Sequence, residues 1–184
     1  MTQHKDAKAA AKELKLMAFD VDGVMTDGSL YYSDNGVESK AFNTLDGHGI
    51  KLLLQAGIEV AIITGRRSKC LALRAENLGI HHLFQGIEHK LETMRQLLAQ
   101  LGIDAAHAGY MGDDTVDLEL MQALGFAAST ADGHPDVAPH AHFISTRGGG
   151  RGAVREVCDF ILRAQDKYPT RQVKPASAAH SAAH

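Results

Sequence analysis

The feature that most restricts how this chain can fold is the apolar segment 16–26, in which two carboxylates end a strand-like run. The segment reads Leu-Met-Ala-Phe-Asp-Val-Asp-Gly-Val-Met-Thr. Residues two apart on a strand point the same way, so Asp20 and Asp22 are predicted to share one site where the strand ends. Crowded carboxylates repel each other, and a bound cation or a shared proton relieves that repulsion. The pair therefore predicts a site for a hard cation with oxygen ligands, with Mg²⁺ the first candidate.

Three later segments repeat this arrangement of an apolar strand with polar residues at its end. Residues 59–66 end in a hydroxyl, a glycine and an arginine, Lys90 follows a short strand, and residues 108–117 end in three carboxylates. In an open parallel α/β sheet, the carboxyl ends of the strands meet at one crevice, which is where ligands bind. The predicted site therefore gathers Asp20, Asp22, Thr64, Gly65, Lys90 and Asp113.

The alternation of strands with helical stretches predicts an α/β fold, with a Rossmann-like, mostly parallel sheet covered by helices on both faces. Helices are predicted over 5–14, 46–57, 67–78, 90–101, 114–124 and 152–165, with short strands near 82–85, 126–128 and 142–144. The 184 residues, 45% of them hydrophobic, suffice for one domain with a sizeable core. We expect that domain over residues 1–168 and a flexible C-terminal tail over 169–184 that lacks a periodic apolar pattern.

A protruding β-hairpin is predicted over residues 29–42. The pair Asn35-Gly36 lies between two β-prone segments, which is a signal for a two-residue hairpin turn.

Composition and charge argue against several classes of partner. The net charge is −3 and the basic residues are scattered, so no cationic face for nucleic acid is expected. No apolar run approaches the roughly 20 residues that cross a bilayer, and the first residues lack the apolar core of a secretion signal. Cys70 and Cys158 lack metal-ligand spacing and are interpreted as reduced structural residues. A cytoplasmic location is therefore expected.

The four motifs together resemble the haloacid dehalogenase-like phosphohydrolases. The resemblance implies that Asp20 attacks phosphorus and forms an aspartyl-phosphate. It implies that Asp22 is first the general acid for the leaving oxygen and then the base for water. Lys90, oriented by Asp117, would offset the remaining negative charge.

The same resemblance implies how the cation and the phosphoryl group are held. Mg²⁺ would bind the Asp20 carboxylate, the Asp22 backbone carbonyl and Asp113, with waters completing the shell. Thr64 and backbone N–H groups near Asp22, Gly23 and Gly65 would hold the phosphoryl oxygens.

Longer segments carry a closer resemblance to one family that lacks a cap domain, the 3-deoxy-D-manno-octulosonate 8-phosphate phosphatases of lipopolysaccharide precursor biosynthesis. The matching segments are residues 19–28, 42–50, 64–66 with Arg74, and 145–156. Only about 35 residues separate Gly23 from Glu59, and the hairpin and one helix use most of them, so no cap domain fits.

That resemblance implies a homotetramer in which the hairpins form a small barrel and neighbouring subunits complete each site. It also implies anion contacts from arginines, because a sugar-acid phosphate is charged at both ends. The candidates for substrate binding, each with a surface ion pair as its alternative, are Arg66, Arg74, Arg147 and Arg151. Arg147 and Arg151 also flank a glycine run that is a candidate closing segment.

Several alternatives stay open at the level of sequence. A phosphatase of a nine-carbon sugar-acid phosphate would share almost every motif. A non-catalytic tetramerising module is a second alternative, although such a module need not keep all the acidic residues and the lysine found here. A phospho-accepting receiver domain places its acceptor at the third strand rather than the first, which disfavours it. Asp114 is interpreted either as an acid near the site or as the N-cap of helix 114–124.

Overall fold

The computed structural model describes residues 6–169 and contains a six-stranded sheet in which every adjacent pair of strands is parallel. The strands of this sheet are β1 (Leu16–Phe19), β4 (Glu59–Thr64), β5 (His82–Gln85), β6 (Ala108–Met111), β7 (Phe126–Ser129) and β8 (Phe143–Ile144). Their spatial order is β5-β4-β1-β6-β7-β8, and two further short strands, β2 (Tyr31–Tyr32) and β3 (Glu38–Ser39), form a separate hairpin. The predicted α/β fold with a mostly parallel sheet is confirmed.

Six α-helices cover the sheet in the described part of the chain. They are α1 (Ala7–Lys12), α2 (Thr44–Gln55), α3 (Lys69–Leu78), α4 (Lys90–Leu101), α5 (Leu118–Ala123) and α6 (Ala153–Ala164). They lie on both faces, because successive strand residues point to opposite faces and the residues on both are apolar. On one face, residues such as Phe19 and Ile62 pack against α1, α2, α3 and α6. On the other, residues such as Ala18 and Ile63 pack against α4 and α5.

The register of the three central strands brings their carboxyl ends to one level. Phe19, the last residue of β1, pairs with Ile62 on β4 and with Met111 on β6. The residues that follow these strands therefore leave the sheet along the same edge. This edge is the crevice that the sequence predicts.

The hairpin forms within the predicted range, but its predicted two-residue turn is wrong. Ser33 and Val37 are linked by a hydrogen bond from the N–H of Ser33 to the carbonyl of Val37, so the loop between them has three residues. Asn35 does not adopt a positive φ, whereas Gly36 has a φ of +73°. A three-residue loop with glycine in the left-handed position replaces the Asn-Gly turn, which needs a positive φ at both residues.

Several predicted helices differ at their starts. Helices α1 and α3 begin two residues later than predicted, at Ala7 and Lys69, and α6 begins one residue later, at Ala153. Helix α2 begins at Thr44 rather than at position 46, because the side chain of Asn43 caps it by accepting from the N–H of Leu45. The single helix predicted over 114–124 is a 3₁₀ turn over Thr115–Asp117 followed by α5. The side chain of Asp117 accepts from the backbone of the preceding turn, which favours the tighter 3₁₀ geometry there.

Within residues 6–169, the segment between β1 and β4 contains only the hairpin and α2, and no cap domain interrupts it. In that same part of the chain, no helix is both long and apolar enough to cross a bilayer. The predicted C-terminal tail, apart from residue 169, lies outside the described residues.

Candidate active site

The centre of the crevice is a group of buried polar residues at the ends of β1 and β6 and at the start of α4. Asp20 directly follows β1 and is 8% exposed, and its backbone N–H donates to the carbonyl of Met111. Lys90 is the first residue of α4, and its Nζ lies 3.1 Å from Asp20 Oδ2 and 2.7 Å from Asp117 Oδ1. The Tyr110 hydroxyl donates to Asp117 Oδ1 at 2.8 Å and accepts from Lys90 Nζ at 3.0 Å. We call Asp20, Lys90, Tyr110, Asp113 and Asp117 the sheet-end cluster.

The second carboxylate that faces Asp20 is Asp113, which follows β6 after Gly112. Its N–H donates to Asp117 Oδ2 at 3.1 Å, which fixes its backbone. A Cβ at Gly23 would lie 2.0 Å from Asp113 Oδ2, and Gly23 has a φ of +90°. Only glycine therefore allows the loop after β1 to pass this close to Asp113.

Burial raises the pKa values of the two facing carboxyls. The pKa of Asp20 is about 6, because desolvation outweighs the attraction of Lys90 and the charge of Asp117 adds to the rise. The pKa of Asp113 is about 7, through desolvation first and then through the charges of Asp20 and Asp117. Burial alone would lower the pKa of Lys90, but the Asp20 and Asp117 carboxylates more than offset it and raise that pKa. Lys90 is therefore a cation, while the facing carboxyls resist ionisation in the absence of another positive charge.

The donor set fits a hard divalent cation. Carboxylate oxygens of Asp20, Asp113 and Asp117 lie within 4.8 Å of one another. Both oxygens of Asp117 are already bonded, Oδ1 to Lys90 and Tyr110 and Oδ2 to backbone N–H groups. By contrast, Asp20 Oδ1 and Asp113 Oδ1 are buried and have no hydrogen-bond partner within the protein. Asp20 and Asp113 are thus the two side chains with free ligand atoms, and Asp117 is the residue that holds Lys90.

The remaining predicted phosphoryl contacts lie at the end of β4. Thr64 is its last residue and is buried, and its carbonyl accepts from the N–H of Ile87. Gly65 follows as an exposed bend. Thr64, Asp20 and Asp113 therefore follow or end neighbouring strands at one edge of the sheet, as the sequence predicts.

The hairpin side of the crevice carries a second polar network. The Asp22 carboxylate is paired with the Lys40 ammonium at Oδ1, and Arg66 Nε lies 3.6 Å from Oδ2. An Arg66 guanidinium nitrogen donates to Glu38 Oε1 at 2.9 Å and to the Tyr32 hydroxyl at 2.5 Å. We call Asp22, Tyr32, Glu38, Lys40 and Arg66 the hairpin cluster.

The four predicted arginines do not converge on one place. Arg66 belongs to the hairpin cluster, whereas Arg74 donates to the carbonyl of Asn43 at the start of α2. Arg151 is exposed and lies 3.4 Å from Asp27. Arg147 lines a cavity of about 550 Å³ beside α6, whose lining includes none of the site aspartates. Of the four, the structure brings only Arg66 next to a predicted catalytic carboxylate.

The glycine run between Arg147 and Arg151 is packed rather than free to close over the crevice. The N–H of Gly150 donates to the carbonyl of Val24, and a Cβ at Gly149 would lie 2.0 Å from the carbonyl oxygen of Gly23. Because these residues have no side chain, the backbone of the glycine run packs directly against the backbone of the loop after β1. The expectation of a closing segment is therefore corrected.

Sequence reasoning missed Lys40, Glu38 and Tyr110. Lys40 and Glu38 are charged residues of a hairpin, where charges are ordinarily solvated, and only the folded hairpin brings them to Asp22. Tyr110 did carry a signal, because a hydroxyl in the otherwise apolar strand β6 needs a buried partner. Asp114, left open above, is exposed and caps the following turn by accepting from the N–H of Thr115.

Comparison with known proteins adds a family to this geometry. Residues 80–154 match the model of the haloacid dehalogenase-like hydrolases. The chain is 49% identical over 162 residues to the 3-deoxy-D-manno-octulosonate 8-phosphate phosphatase of Yersinia pestis, covering 88% of this chain and 87% of that protein. The crystal structure of the Yersinia pestis protein superposes with a TM-score of 0.87 and covers 89% of each chain.

Two further solved structures are similar and contain metals. The phosphatase of the same name from Moraxella catarrhalis, in complex with magnesium ion, phosphate ion and KDO, is 44% identical and has a TM-score of 0.86, covering 88% of this chain and 93% of that one. The cobalt-bound deoxy-D-mannose-octulosonate 8-phosphate phosphatase of Haemophilus influenzae is 40% identical with a TM-score of 0.83, covering 86% and 93%. The paired strand-end carboxylates, the buried lysine and these similarities lead to one conclusion: the chain belongs to the 3-deoxy-D-manno-octulosonate 8-phosphate phosphatase family of haloacid dehalogenase-like hydrolases.

Proposed function

We propose that this protein is a Mg²⁺-dependent phosphatase that hydrolyses 3-deoxy-D-manno-octulosonate 8-phosphate to the free sugar acid and phosphate, in lipopolysaccharide precursor biosynthesis. The observation that carries the proposal is the pair of buried, unpartnered oxygens on Asp20 and Asp113 beside the Lys90 ammonium. This arrangement suits an anionic phosphoryl group only when a divalent cation compensates the carboxylates. The similar Yersinia pestis protein is named for this substrate, and the similar Moraxella catarrhalis protein binds magnesium, phosphate and KDO, which supports the same assignment.

The first chemical step is attack of an Asp20 carboxylate oxygen on phosphorus. As that bond forms, the bond from phosphorus to the sugar oxygen breaks, and Asp22 donates a proton to the departing oxygen. Lys90, held by Asp117 and Tyr110, balances charge on the phosphoryl group without moving. The products of this step are the sugar acid and an aspartyl-phosphate at Asp20.

The second step returns the enzyme to its starting state. Asp22, now a carboxylate, accepts a proton from a water molecule, and that water attacks phosphorus. The bond between phosphorus and the Asp20 oxygen breaks, which releases inorganic phosphate and restores the Asp20 carboxylate. Thr64 and the N–H groups around Gly65 are proposed to hold the phosphoryl oxygens through both steps.

The Asp20 and Asp113 carboxylates and the backbone carbonyl of Asp22 are proposed to hold Mg²⁺. When bound, the cation neutralises charge between the nucleophile and the phosphoryl group. Its contribution fits the raised pKa values of Asp20 and Asp113, since both carboxyls need a positive neighbour to ionise fully at neutral pH.

We propose that the substrate carboxylate is recognised by an arginine, with Arg66 the leading candidate and Arg74, Arg147 and Arg151 the others. Arg66 is the one of these whose side chain lies within 4 Å of the Asp22 carboxylate, and that side chain is 42% exposed, so a substrate can reach it. A guanidinium fork matches a carboxylate in geometry and charge.

We further propose that the protein is a cytoplasmic homotetramer assembled through the hairpin. Four apolar side chains of the hairpin are about half exposed or more: Leu30, Tyr31, Tyr32 and Val37. Apolar side chains concentrated on one protruding element favour burial against another copy. Both cysteines are free thiols, which agrees with a reducing compartment. Replacing Tyr31 and Val37 by serine should yield smaller species in sedimentation.

The activity is tested by phosphate release from a panel of phosphate esters, with Mg²⁺ and with excess chelator. The panel contains the eight-carbon and nine-carbon sugar-acid phosphates, a neutral sugar phosphate and an aryl phosphate. We expect the highest kcat/KM on the eight-carbon compound and no turnover in chelator. A higher kcat/KM on the nine-carbon compound would show instead that the protein is a phosphatase of the nine-carbon sugar-acid phosphate. No hydrolysis of any ester would favour the non-catalytic module.

A further inference from the structure

Lys40 is a buried cation that the mechanism above does not use. Its side chain is 2% exposed, although it leaves the end of a hairpin whose other large residues are mostly exposed. The ammonium is paired with Asp22 Oδ1, and Glu38 Oε1 lies 3.6 Å away. A lysine loses much side-chain freedom and hydration when it is buried, so a paired carboxylate is needed to hold it there.

The charges of the hairpin cluster balance. The Asp22 and Glu38 carboxylates face the Lys40 ammonium and the Arg66 guanidinium, which gives two anions and two cations. Arg66 and Lys40 approach Asp22 through different oxygens, Arg66 at Oδ2 and Lys40 at Oδ1. The contact at Oδ1 is the closer one, and Oδ2 is buried without a hydrogen-bond partner.

This asymmetry distinguishes the two oxygens of Asp22. An ammonium has only donor hydrogens, so the oxygen that accepts from Lys40 cannot also carry the proton toward it. The proton of a general acid at this position therefore belongs on Oδ2, the oxygen with a free lone pair. Lys40 also restricts the rotation of the Asp22 carboxyl group, because the ammonium is paired with Oδ1 and lies 3.6 Å from Glu38 Oε1 on the hairpin.

We propose that Lys40 is a positioning residue that holds the Asp22 carboxyl group by Oδ1 and presents Oδ2 to the leaving oxygen of the substrate. The inference rests on the proposed phosphatase function and deepens it. In the first step the O–H bond of Asp22 Oδ2 breaks, and its proton goes to the sugar oxygen as that oxygen leaves phosphorus. The Asp22 carboxylate that results stays paired with Lys40 until it takes a proton from water in the second step.

The proposal links the hairpin to the chemistry. Glu38 on β3 and Tyr32 on β2 are both bonded to Arg66 from the loop after β4, so the hairpin is attached to the crevice at two strands. Displacing the hairpin would remove Lys40 from Asp22 while leaving Asp20 and Lys90 in place, because those residues belong to the sheet-end cluster.

The test separates protonation of the leaving group from the rest of the reaction. Single-turnover rapid-quench measurements, with enzyme in excess over substrate and Mg²⁺ present, record release of the alcohol or phenol. The substrates are the sugar-acid phosphate, whose alkoxide leaving group needs a proton, and 2,4-dinitrophenyl phosphate, whose leaving group does not. The variants are Lys40→Gln, Lys40→Arg and Asp22→Asn, with Lys51→Met as an exposed-lysine control on α2.

We expect Lys40→Gln to slow release of the sugar acid by about 10²-fold, as the loss of a well-placed general acid does, and to change dinitrophenol release by less than about threefold. Asp22→Asn should show the same pattern more strongly, Lys40→Arg should recover much of the loss, and Lys51→Met should match the wild type. Equal losses on both substrates, or no loss on either, would overturn the positioning role. Absence of any turnover by the wild type would instead refute the phosphatase function itself.

Discussion

The two sides of the crevice differ in the structure that holds their polar residues in place. The sheet-end cluster lies where three central strands end, and its members are buried except for Asp113, which is half-buried. The hairpin cluster depends on two strands of two residues each, which pair only with each other. The proposed nucleophile, Asp20, belongs to the sheet-end cluster, and the proposed general acid, Asp22, belongs to the hairpin cluster.

This difference indicates that the two clusters have separate roles. The nucleophile Asp20 and its cationic partner Lys90 are positioned by the sheet, so they stay in place as long as the sheet is folded. The general acid is held by a protruding element whose apolar side chains are exposed in the single chain. We therefore expect changes in the sheet-end cluster to affect both stability and all substrates. Changes in the hairpin cluster should affect substrate choice and leaving-group dependence.

The largest effect is expected from Asp20→Asn. An amide cannot attack phosphorus, so kcat should fall by at least about 10³-fold for every substrate. The metal-free variant should unfold at the same or a higher temperature than the wild type, because burial disfavours the Asp20 charge. Steady-state assays and thermal unfolding check both statements. Retention of a tenth of the activity would show that Asp20 is not the nucleophile.

Lys90→Met tests the buried ion pairs of the sheet-end cluster. Removing the ammonium leaves the Asp20 and Asp117 carboxylates without their common partner, and breaking such a pair costs about 3–5 kcal/mol. Urea unfolding should therefore show a large loss of stability, together with lost activity on all substrates. The exposed control Lys51→Met should lose little. A stable Lys90→Met protein would remove the proposed contrast between the two clusters.

Arg66→Ala tests recognition on the hairpin side. If Arg66 binds the substrate carboxylate, kcat/KM for the sugar-acid phosphate should fall. The expected fall corresponds to a loss of about 2–4 kcal/mol of transition-state stabilisation, with much less change for an aryl phosphate. Arg95→Ala is the matched control, because Arg95 is an exposed arginine on α4 that belongs to neither cluster. Equal losses on both substrates for Arg66→Ala would assign it to the phosphoryl group or to the fold.

The smallest effect concerns pH and the metal-free protein. Asp113 has a pKa of about 7 in the folded protein and binds its proton more tightly there than in the unfolded chain. Ionisation of Asp113 therefore lowers the free energy of unfolding progressively as the pH rises from about 4 through about 7. Asp113→Asn should be more stable than the wild type at pH 8 by about 1–3 kcal/mol, and the difference should vanish near pH 4.

Excess Mg²⁺ supplies the control for that measurement. The cation needs ionised ligands, so it should stabilise the wild type increasingly between pH 5 and pH 8 and should stabilise Asp113→Asn much less. Thermal unfolding at matched ionic strength measures both. Equal stabilisation of the two proteins by Mg²⁺ would argue against Asp113 as a ligand.

The sheet and the sheet-end cluster follow closely from the sequence, because strand-end positions are set by local apolar runs. Strand β5 and helix α4 lie at their predicted residues, and Asp20, Asp113 and Lys90 come together as their strand ends predict. The position of the Asp117 side chain is only partly predictable from the sequence, because its bonds to Lys90 and Tyr110 depend on the 3₁₀ turn.

The hairpin cluster could not be predicted in the same way. The pairing of Lys40 with Asp22 depends on how far the hairpin folds back over the loop after β1, and no periodic pattern encodes that distance. The arginines cannot be placed from the sequence either, because a guanidinium side chain is long and the four candidates, which lie in two separate segments, extend to four different places.

In the proposed mechanism, Asp20 becomes phosphorylated, and Asp22 donates a proton to the leaving group and accepts one from water. The most direct measurement uses Asp22→Ala with 2,4-dinitrophenyl phosphate and Mg²⁺, followed by rapid acid quench, borohydride reduction and peptide mapping. Such a leaving group needs no acid, and loss of the base slows hydrolysis of the intermediate, so the aspartyl-phosphate should accumulate. We expect homoserine, the reduction product of an aspartyl-phosphate, at position 20 after a stoichiometric burst of dinitrophenol. A burst with the label at another residue, or release of dinitrophenol with no covalent intermediate, would contradict it.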